Sequence, residues 1–258
     1  MIEIITHCYS ANPVPIYHRL LALQLNSMLS CGSSYNSMKE GEQPKVVVTV
    51  CFTAEDYMTG SVITRAASVK CSWVKINPMP LSKENLFRRA IGRNKAALET
   101  EADVVWFTDC DHLANIAALQ AILKFGKEIP EDGPQMIHPR IVQINRTHAL
   151  GDDFLNSSFS LKELKIPPKD FQPRRERKAI GGLQIVSGDW ARKMGYLDGT
   201  DWVKPLPDAE HFLSCKCDVP YRREICGGSR AKDIPGIFRV RHSRAGRDQG
   251  TKDHGSPG

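Results

Sequence analysis

The sequence Ala-Asp-Val-Val-Trp-Phe-Thr-Asp-Cys-Asp, residues 102–111, decides the fold of this chain. Its centre, Val104 to Phe107, is a short apolar run between segments of helical pattern, which is typical of a strand buried on both faces of a parallel sheet. Asp109 and Asp111 follow where the run stops. Alternation along an extended chain would point both carboxylates the same way, and ligands of open α/β sheets bind at the carboxyl ends of strands. Two hard oxygen donors there suggest a divalent cation, whereas a lone Asp-x-Asp can also simply solvate a turn.

The segments on either side of this strand have helical periodicity. Before it, a helix is predicted from Ser82, a candidate N-cap, to Glu99. After it, residues 113–125 place four apolar side chains on one stripe, namely Ile116, Leu119, Ile122 and Leu123. The two acids are therefore expected in a strand-to-helix loop at the edge of a sheet, a kind of loop that commonly carries function.

The first half of the chain alternates strands and helices. We predict strands at residues 2–5, 45–52 and 72–77, and intervening helices at residues 16–30 and 62–69. This order is typical of a parallel sheet with right-handed crossover connections. The sequence thus predicts the α/β class, with a mostly parallel central sheet flanked by helices.

The second half is less regular. A strand is predicted at residues 137–144, and a further strand at residues 179–187 precedes a helix at residues 190–196. Residues 149–179 are polar and basic with few aliphatic side chains, which predicts a functional lid or a disordered loop. Residues 247–258 have no core residues and are expected to form a disordered tail.

Composition limits the class of protein. A chain of 258 residues with 41% hydrophobic content can bury a full core, and its length favours one large domain. No apolar run approaches the ~20 residues of a membrane helix. The eight cysteines are scattered, without the dense spacing of a disulfide framework, which favours a reducing cytoplasm.

The net charge of +6 is partly concentrated in two basic segments, residues 174–178 and 239–247. Such segments could serve anionic phosphates, an anionic membrane surface contacted peripherally, or nucleic acid, although charge runs are usually solvated. The absence of aromatic residues among these charges disfavours nucleic acid as a partner. Oligomeric state cannot be inferred from the sequence.

Several short segments, in one order along the chain, resemble a known family. They are Arg93-Asn-Lys-Ala-Ala97, the acidic strand of residues 102–111, Ile180-Gly-Gly-Leu-Gln-Ile-Val-Ser187, Met194-Gly-Tyr-Leu-Asp198, Pro207-Asp-Ala-Glu210 and Arg241-His242. The chain resembles the nucleotide-sugar-dependent glycosyltransferases of the GT-A fold, nearest to family 2. The resemblance implies a single domain over residues 1–246, with a nucleotide-binding half at residues 1–112 and an acceptor-side half at residues 113–246.

The resemblance also implies a chemistry. A nucleoside-diphosphate sugar would be the donor and the hydroxyl of a carbohydrate or other molecule the acceptor. Mn²⁺ or Mg²⁺ would neutralise the leaving diphosphate. Asp111 is the first metal ligand implied, with His242 as a second and Asp109 sharing the metal or facing the ribose. An inverting enzyme needs a carboxylate base, here Asp208 with Glu210 in reserve; Asp208 could equally be a helix N-cap after Pro207.

The remaining residues that the resemblance implies are those that contact the nucleotide sugar. Arg93 would contact the diphosphate, although a helix arginine can also be solvated, and Gly181 and Gly182 would let the backbone approach the donor sugar or form a tight bend. The full set is Ser10, Asn12, Glu55, Asp56, Arg93, Asp109, Gly181 and Gly182.

Two readings from other classes compete with this one. Haloacid-dehalogenase-like phosphatases also place Asp-x-Asp after an apolar strand and use the first Asp, here Asp109, as nucleophile. The motif of that family has Thr or Val two residues after the second Asp, whereas this chain has Leu113 there. The other rival is a zinc-organised binding module, because four possible ligands cluster in one segment: His211, Cys215, Cys217 and Cys226.

Overall fold

The structure of this protein is a computed structural model that describes residues 1–10, 17–31, 36, 45–87, 89–130, 136–147, 170–179, 181–196 and 229–242. The strands are β1 Ile2–His7, β2 Val46–Phe52, β3 Val74–Pro80, β4 Val104–Phe107, β5 His112–Ala114, β6 Met136–Pro139, β7 Ile141–Asn145, β8 Phe171–Arg175, β9 Gln184–Ser187, β10 Arg230–Lys232 and β11 Ile237–Arg239. The helices are α1 Tyr17–Leu29, α2 Tyr57–Ala67, α3 Lys83–Phe87, α4 Arg89–Glu99, α5 Ile116–Lys127 and α6 Gly188–Met194.

Seven strands form the central sheet, in the order β10-β6-β9-β4-β1-β2-β3. Strands β3, β2, β1 and β4 are mutually parallel, whereas β9 runs antiparallel between β4 and β6, and β10 is parallel to β6. The predicted α/β fold with a mostly parallel central sheet is confirmed. The remaining four strands form a second sheet in the order β5-β11-β7-β8.

Helices cover both faces of the central sheet. One core cluster joins Ile4, Val48 and Trp106 to residues of α1, α2 and α5. The other joins Ile5 and Phe107 to residues of α3, α4 and α6. Strand β4 is fully buried, as its continuous apolar run predicted, because its alternate side chains enter both cores.

The order of the strands in the sheet reverses relative to the chain between β1 and β4. Strand β1 has β2 on one side and β4 on the other, and the chain continues outward in both directions from this pair. Open α/β sheets bind ligands in the crevice outside the carboxyl ends of the strands at such a switch point. The residues that follow Phe107 therefore lie at the position where a ligand is expected.

Several element boundaries differ from those predicted. The strand predicted at residues 137–144 is two strands in different sheets, because the ring of Pro139 and the turn at Arg140 end β6. The helix predicted from Ser82 to Glu99 is divided into α3 and α4. Ser82 does cap its start, since the Asn85 amide donates to the Ser82 hydroxyl at 3.3 Å.

The segment predicted to be a lid or a disordered loop is partly regular. Residues 171–175 form β8, the edge strand of the second sheet, and pair with β7. A strand with exposed charged side chains is difficult to recognise from its sequence alone, because it lacks an apolar alternation. The tail at residues 247–258 lies outside the described residues. Within the part of the chain that is described, no helix has both the length and the apolar character needed to cross a membrane.

A candidate metal centre at the switch point

The turn that follows β4 is held in place by its neighbours. The Thr108 amide donates to the carbonyl of Ile5 in β1 at 2.9 Å, and the His112 amide donates to the carbonyl of Asp109 at 3.1 Å. From α1, the buried Gln24 side-chain amide donates to the carbonyls of Asp109 at 3.0 Å and of His112 at 2.8 Å. The backbone of the Asp-x-Asp turn is thus held by hydrogen bonds from β1, from α1 and within the turn itself.

Three side chains with metal-binding atoms converge on this turn. The donor atoms of Asp109, Asp111 and His112 all lie within 4.8 Å of one another. Asp111 Oδ1 and His112 Nδ1 are 2.7 Å apart but are not aligned for a hydrogen bond. Two adjacent ligands of an octahedral ion with bonds of 2.0–2.1 Å are separated by about 3 Å. The pair therefore fits two neighbouring positions of one coordination sphere.

The chemistry of this donor set favours a small divalent ion. Two carboxylates supply hard oxygen, which suits Mg²⁺, Ca²⁺ and Mn²⁺, and an imidazole is also accepted by transition metals. His112 is 1% exposed, and neither of its ring nitrogens has a hydrogen-bond partner among the described residues. Buried polar groups are rarely left without a partner, so a metal ion at this position would satisfy an otherwise costly group.

Glycine is required where β9 approaches the turn. A Cβ atom on Gly182 would lie 2.6 Å from His112 Cε1, 2.7 Å from His112 Nδ1 and 3.0 Å from the Asp109 amide nitrogen. A Cβ on Gly181 would come within 3.5 Å of Asp109 Oδ2. The Gly182 carbonyl accepts a hydrogen bond from the indole of Trp106 at 3.0 Å. Gly182 therefore brings backbone directly against His112 and Asp109, whereas a Cβ on Gly181 would make only an ordinary van der Waals contact.

Arg93 anchors Asp109 from α4. The arginine is 3% exposed, and its Nη2 donates to Asp109 Oδ1 and to the carbonyl of Thr108, both at 3.2 Å. Its Nη1 donates to the Tyr196 hydroxyl at 2.9 Å, and that hydroxyl donates to Gln184 Oε1 at 2.7 Å. The solvated alternative for Arg93 is wrong, since this guanidinium is buried in a network that fixes the first acid of the turn.

Arg239 neutralises Asp111 from β11. Its Nε donates to Asp111 Oδ2 at 2.9 Å, and both side chains are mostly buried. Burial opposes ionisation of Asp111, but the facing His112 and Arg239 outweigh it and hold the pKa of this carboxyl well below its ordinary value. Asp111 is consequently a carboxylate throughout the working pH range, as a metal ligand must be.

His242 was predicted as a metal ligand and lies near the turn without belonging to the converging group. The Val240 amide donates to the carbonyl of Asp111 at 2.8 Å, so the chain passes beside the acid two residues before His242. The His242 ring is buried and packs edge-on against Tyr17, with ring centroids 6.2 Å apart. Its role as a ligand stays a prediction.

Asp56 and Ser10 form a separate network beside the switch point. Asp56 caps α2: its carboxylate accepts from the Thr59 amide at 3.0 Å, from the Thr59 hydroxyl and from the Ser10 amide, the last two at 2.6 Å. The Ser10 hydroxyl is 2.7 Å from His18 Nδ1. Glu55 is exposed and accepts from the Thr53 hydroxyl. These contacts explain why Asp56 is buried, and nucleotide binding by the three residues stays a prediction.

The other predicted residues lie outside the described residues. They are Asn12, the proposed base Asp208 with Glu210, and the four residues of the zinc alternative, His211, Cys215, Cys217 and Cys226. Of the cysteines that are described, Cys8, Cys31, Cys51, Cys71 and Cys110 are free thiols.

Sequence reasoning missed four residues of the centre: His112, Arg239, Gln24 and Tyr196. His112 directly follows Asp111, so its position in the sequence was a usable signal for a third donor. Arg239 belongs to a basic segment that was recognised only as a charge run. The amide of Gln24 acts on the turn from 85 residues away, and no local pattern marks it. Tyr196 belongs to the segment Met194-Gly-Tyr-Leu-Asp198, but its contact with Arg93, 103 residues away, is not indicated by that segment.

Comparisons with known proteins give distant structural likeness only. No protein-family model and no curated protein sequence matches this chain. A mannosyltransferase from Pyrobaculum calidifontis, PcManGT, solved with GDP-Man and Mn²⁺, is 15% identical with a TM-score of 0.47, over 95% of this chain and 58% of that one. Residues 1–349 of TarS from S. aureus are 12% identical with a TM-score of 0.38, over 82% of this chain and 53% of that one. The chain thus spans little more than half the length of either.

Proposed function

We propose that this chain is a metal-dependent glycosyltransferase of the GT-A type, similar to family 2, which moves a sugar from a nucleoside-diphosphate donor to an acceptor hydroxyl. The observation that carries the proposal is the convergence of Asp109, Asp111 and His112 at the switch point between β1 and β4. The order of the sequence segments that resemble this family supports the same assignment. A reducing cytoplasm is the compartment that the scattered cysteines favour.

Asp111 and His112 would hold Mn²⁺ or Mg²⁺, with Asp109 as a third ligand or as a partner of the ribose. When bound, the ion supplies positive charge to the diphosphate as the bond from the anomeric carbon to the phosphate oxygen breaks. Arg93 fixes the orientation of Asp109 through the contact at 3.2 Å, so the geometry of the centre is set before the donor arrives. Catalysis by preorganised charge requires this kind of support.

Arg239 would exchange partners when the donor binds. In the structure its guanidinium neutralises Asp111. When Asp111 binds a metal ion, a diphosphate oxygen would replace Asp111 as the hydrogen-bond acceptor of Arg239. Arginine binds phosphate with charge-assisted hydrogen bonds. In the absence of the nucleotide sugar, Arg239 thus neutralises the Asp111 carboxylate. In its presence, Arg239 contributes to binding of the diphosphate.

Asp208 would take the proton from the acceptor hydroxyl as the hydroxyl oxygen attacks the anomeric carbon, giving inversion, with Glu210 as the alternative base. Asp208→Asn is expected to lower turnover by 10²-fold or more, about the contribution of a general base, while donor binding persists. Glu210→Gln is the matched variant that separates the two candidates.

The proposal is tested by ³¹P NMR of reactions that contain a nucleotide sugar, Mn²⁺ and a panel of acceptors with and without phosphate groups. Release of an intact nucleoside diphosphate by the wild-type protein, and not by Asp111→Asn, would support the transferase. Release of inorganic phosphate from phosphate esters would support the phosphatase reading instead. No turnover of any nucleotide sugar with any acceptor or with water would contradict the proposal.

A further inference from the structure

A second group of charged side chains lies beyond the carboxyl end of β6. A cavity of about 590 Å³ that is open to solvent is lined by Arg140, Arg175, Glu176, Arg177 and Ala231. The three arginines come from two separate parts of the chain, the turn after β6 and the end of β8, and the alanine lies in β10. The basic segment recognised in the sequence is thus one wall of a cavity rather than only a solvated charge run.

Main-chain hydrogen bonds hold the walls of this cavity in a fixed arrangement. The Glu176 amide donates to the carbonyl of Arg140 at 2.9 Å, which extends the β7–β8 ladder in which Arg175 faces Ile141. The Arg140 amide donates to the carbonyl of Lys232 in β10 at 2.8 Å. Arg140 therefore joins the central sheet to the second sheet, and its side chain and those of Arg175 and Arg177 border one space.

The cavity carries an excess of positive charge. The single carboxylate in its lining, Glu176, is buried and is neutralised by Arg174 Nε at 3.3 Å, a residue that does not line the cavity. Arg140 faces Asp233 at 3.4 Å, but Asp233 is 72% exposed, and such surface pairs are weak and exchange readily. No carboxylate of the described residues pairs with Arg175 or Arg177.

The cavity lies at the same edge of the sheet as the metal centre. Through β9, Ile137 of β6 is level with Trp106 of β4, since both pair with Ile185. Strands β4 and β6 run parallel and end at Phe107 and Pro139, so the acidic turn and Arg140 both follow the carboxyl ends of strands. At Trp106 and Ile137 the two strands are two strand spacings apart, about 10 Å. One phosphate group cannot span such a distance, so the two sites would hold different groups.

We propose that this arginine cavity binds a phosphate group carried by the acceptor, while the metal centre binds the diphosphate of the donor. Three guanidinium groups offer the forked donors that match phosphate oxygens, and the excess positive charge favours an anion. The assignment to the acceptor rests on the proposed function, whereas the binding of phosphate does not. The phosphate can belong to a soluble sugar phosphate or to a lipid headgroup, which share this chemistry.

Phosphate binding is tested first in the absence of metal ions and of the nucleotide sugar, so that the donor site is not occupied. Equilibrium dialysis with labelled inorganic phosphate, and co-sedimentation with vesicles of phosphatidylcholine alone or mixed with phosphatidic acid, are performed in EDTA. We expect Asp111→Asn to bind phosphate at least as well as wild type, because this substitution leaves the cavity unchanged and releases Arg239. Arg175→Gln/Arg177→Gln should bind about tenfold more weakly or worse, because two charge-assisted hydrogen-bond donors are lost. Binding of inorganic phosphate indicates a soluble source, and binding only to anionic vesicles indicates a lipid headgroup.

The matched control is Arg65→Gln/Lys70→Gln, which removes two exposed charges in and just after α2. If this control lowered the affinity for phosphate as much as the arginine variant, the effect would come from net charge alone, and the proposed site would be refuted. An unchanged affinity in the arginine variant, a loss of binding in Asp111→Asn, or no binding by the wild type would also refute it.

The role of the cavity for the acceptor is tested by kinetics. In the ³¹P turnover assay, Arg175→Gln/Arg177→Gln should raise KM for a phosphate-bearing acceptor about tenfold and leave KM for the donor unchanged. An effect on the donor KM alone would overturn the assignment to the acceptor. Absence of all transfer by the wild type would refute the proposed function while leaving the dialysis result standing.

Discussion

Asp111 Oδ1 and His112 Nδ1 lie 2.7 Å apart, in contact but not aligned for a hydrogen bond, at the carboxyl end of β4. If both atoms point at one ion, His112→Ala should lower the affinity for Mn²⁺ at least tenfold, about the loss seen when residues that support a metal are changed. Isothermal titration calorimetry with Mn²⁺ in the absence of nucleotide measures this affinity.

His242→Ala is the informative companion to that variant, because it tests the ligand predicted from the sequence. A comparable loss of Mn²⁺ affinity would make His242 a further ligand, and an unchanged affinity would remove it from the centre. Asp189→Ala, which deletes an exposed carboxylate of α6, serves as the control and should leave binding unchanged. Unaltered Mn²⁺ binding in His112→Ala would contradict the assignment of the centre.

Gly182→Ala tests the close approach of β9 to the centre. The added methyl group would lie 2.6 Å from the His112 ring and 3.0 Å from the Asp109 amide, so the ring must shift. We expect weaker Mn²⁺ binding and a loss of stability of about 1–3 kcal/mol, the usual cost of overpacking. Urea unfolding and Mn²⁺ titration measure the two effects.

Gly60→Ala is the matched control, because its Cβ would meet nothing within 4 Å and it lies inside α2. Replacing this helix glycine should stabilise the protein by roughly 0.5–1 kcal/mol without affecting Mn²⁺ binding. If the two glycine variants behaved alike, the packing of Gly182 against His112 would not matter for the centre.

Arg239→Gln separates the two functions that we assign to this arginine. Without nucleotide, loss of the cation beside Asp111 should raise the affinity for Mn²⁺ severalfold, because the metal no longer competes with the guanidinium. With nucleotide and Mn²⁺ present, the affinity for the donor should fall, because a phosphate partner is lost. Arg65→Gln, an exposed arginine of α2, is the control. A lower affinity for Mn²⁺ alone would indicate instead that Arg239 positions Asp111.

His138 is expected to make the protein sensitive to acid. It is 1% exposed, and burial lowers its pKa, against a smaller opposite effect from the Glu176 backbone. Below the ordinary histidine value of about 6.5 the unfolded chain binds the proton more readily, so the free energy of unfolding falls as pH falls. Urea unfolding at about pH 7.5 and 5.5 should show a smaller decrease for His138→Phe than for wild type. Equal decreases would show that His138 is not the group responsible.

The parts of this fold that could be predicted are those indicated by patterns among residues that are close in the sequence. The apolar run of β4 and the acids that follow it predicted a buried strand with a polar carboxyl end, and the parallel order of β1 to β4 followed from the alternation of strands and helices. The division between β6 and β7 was not predicted, although Pro139 at the end of β6 was a usable signal for it. The hydrogen bond between Arg239 and Asp111 joins residues that are 128 positions apart, and the periodicity of a sequence gives no information on such distant contacts.

The candidate site shows the same limit. The sequence emphasised the two carboxylates because oxygen donors suit a divalent ion, and the adjacent His112 was overlooked although it completes the group. The burial of Arg93 could not be predicted either, since it depends on Tyr196, which follows α6, and the Tyr196 hydroxyl in turn donates to Gln184 of β9.

The central claim is that the metal held by Asp111 binds the diphosphate of a nucleotide sugar. It is tested most directly by thermal unfolding with UDP, GDP, CDP and ADP sugars, each with Mn²⁺, Mg²⁺ or EDTA, on wild type and Asp111→Asn. At roughly a hundredfold excess over Kd we predict that one nucleotide raises Tm by about 5 °C or more, only with metal and only in wild type. No shift with any nucleotide, or an equal shift in EDTA or in Asp111→Asn, would contradict the account.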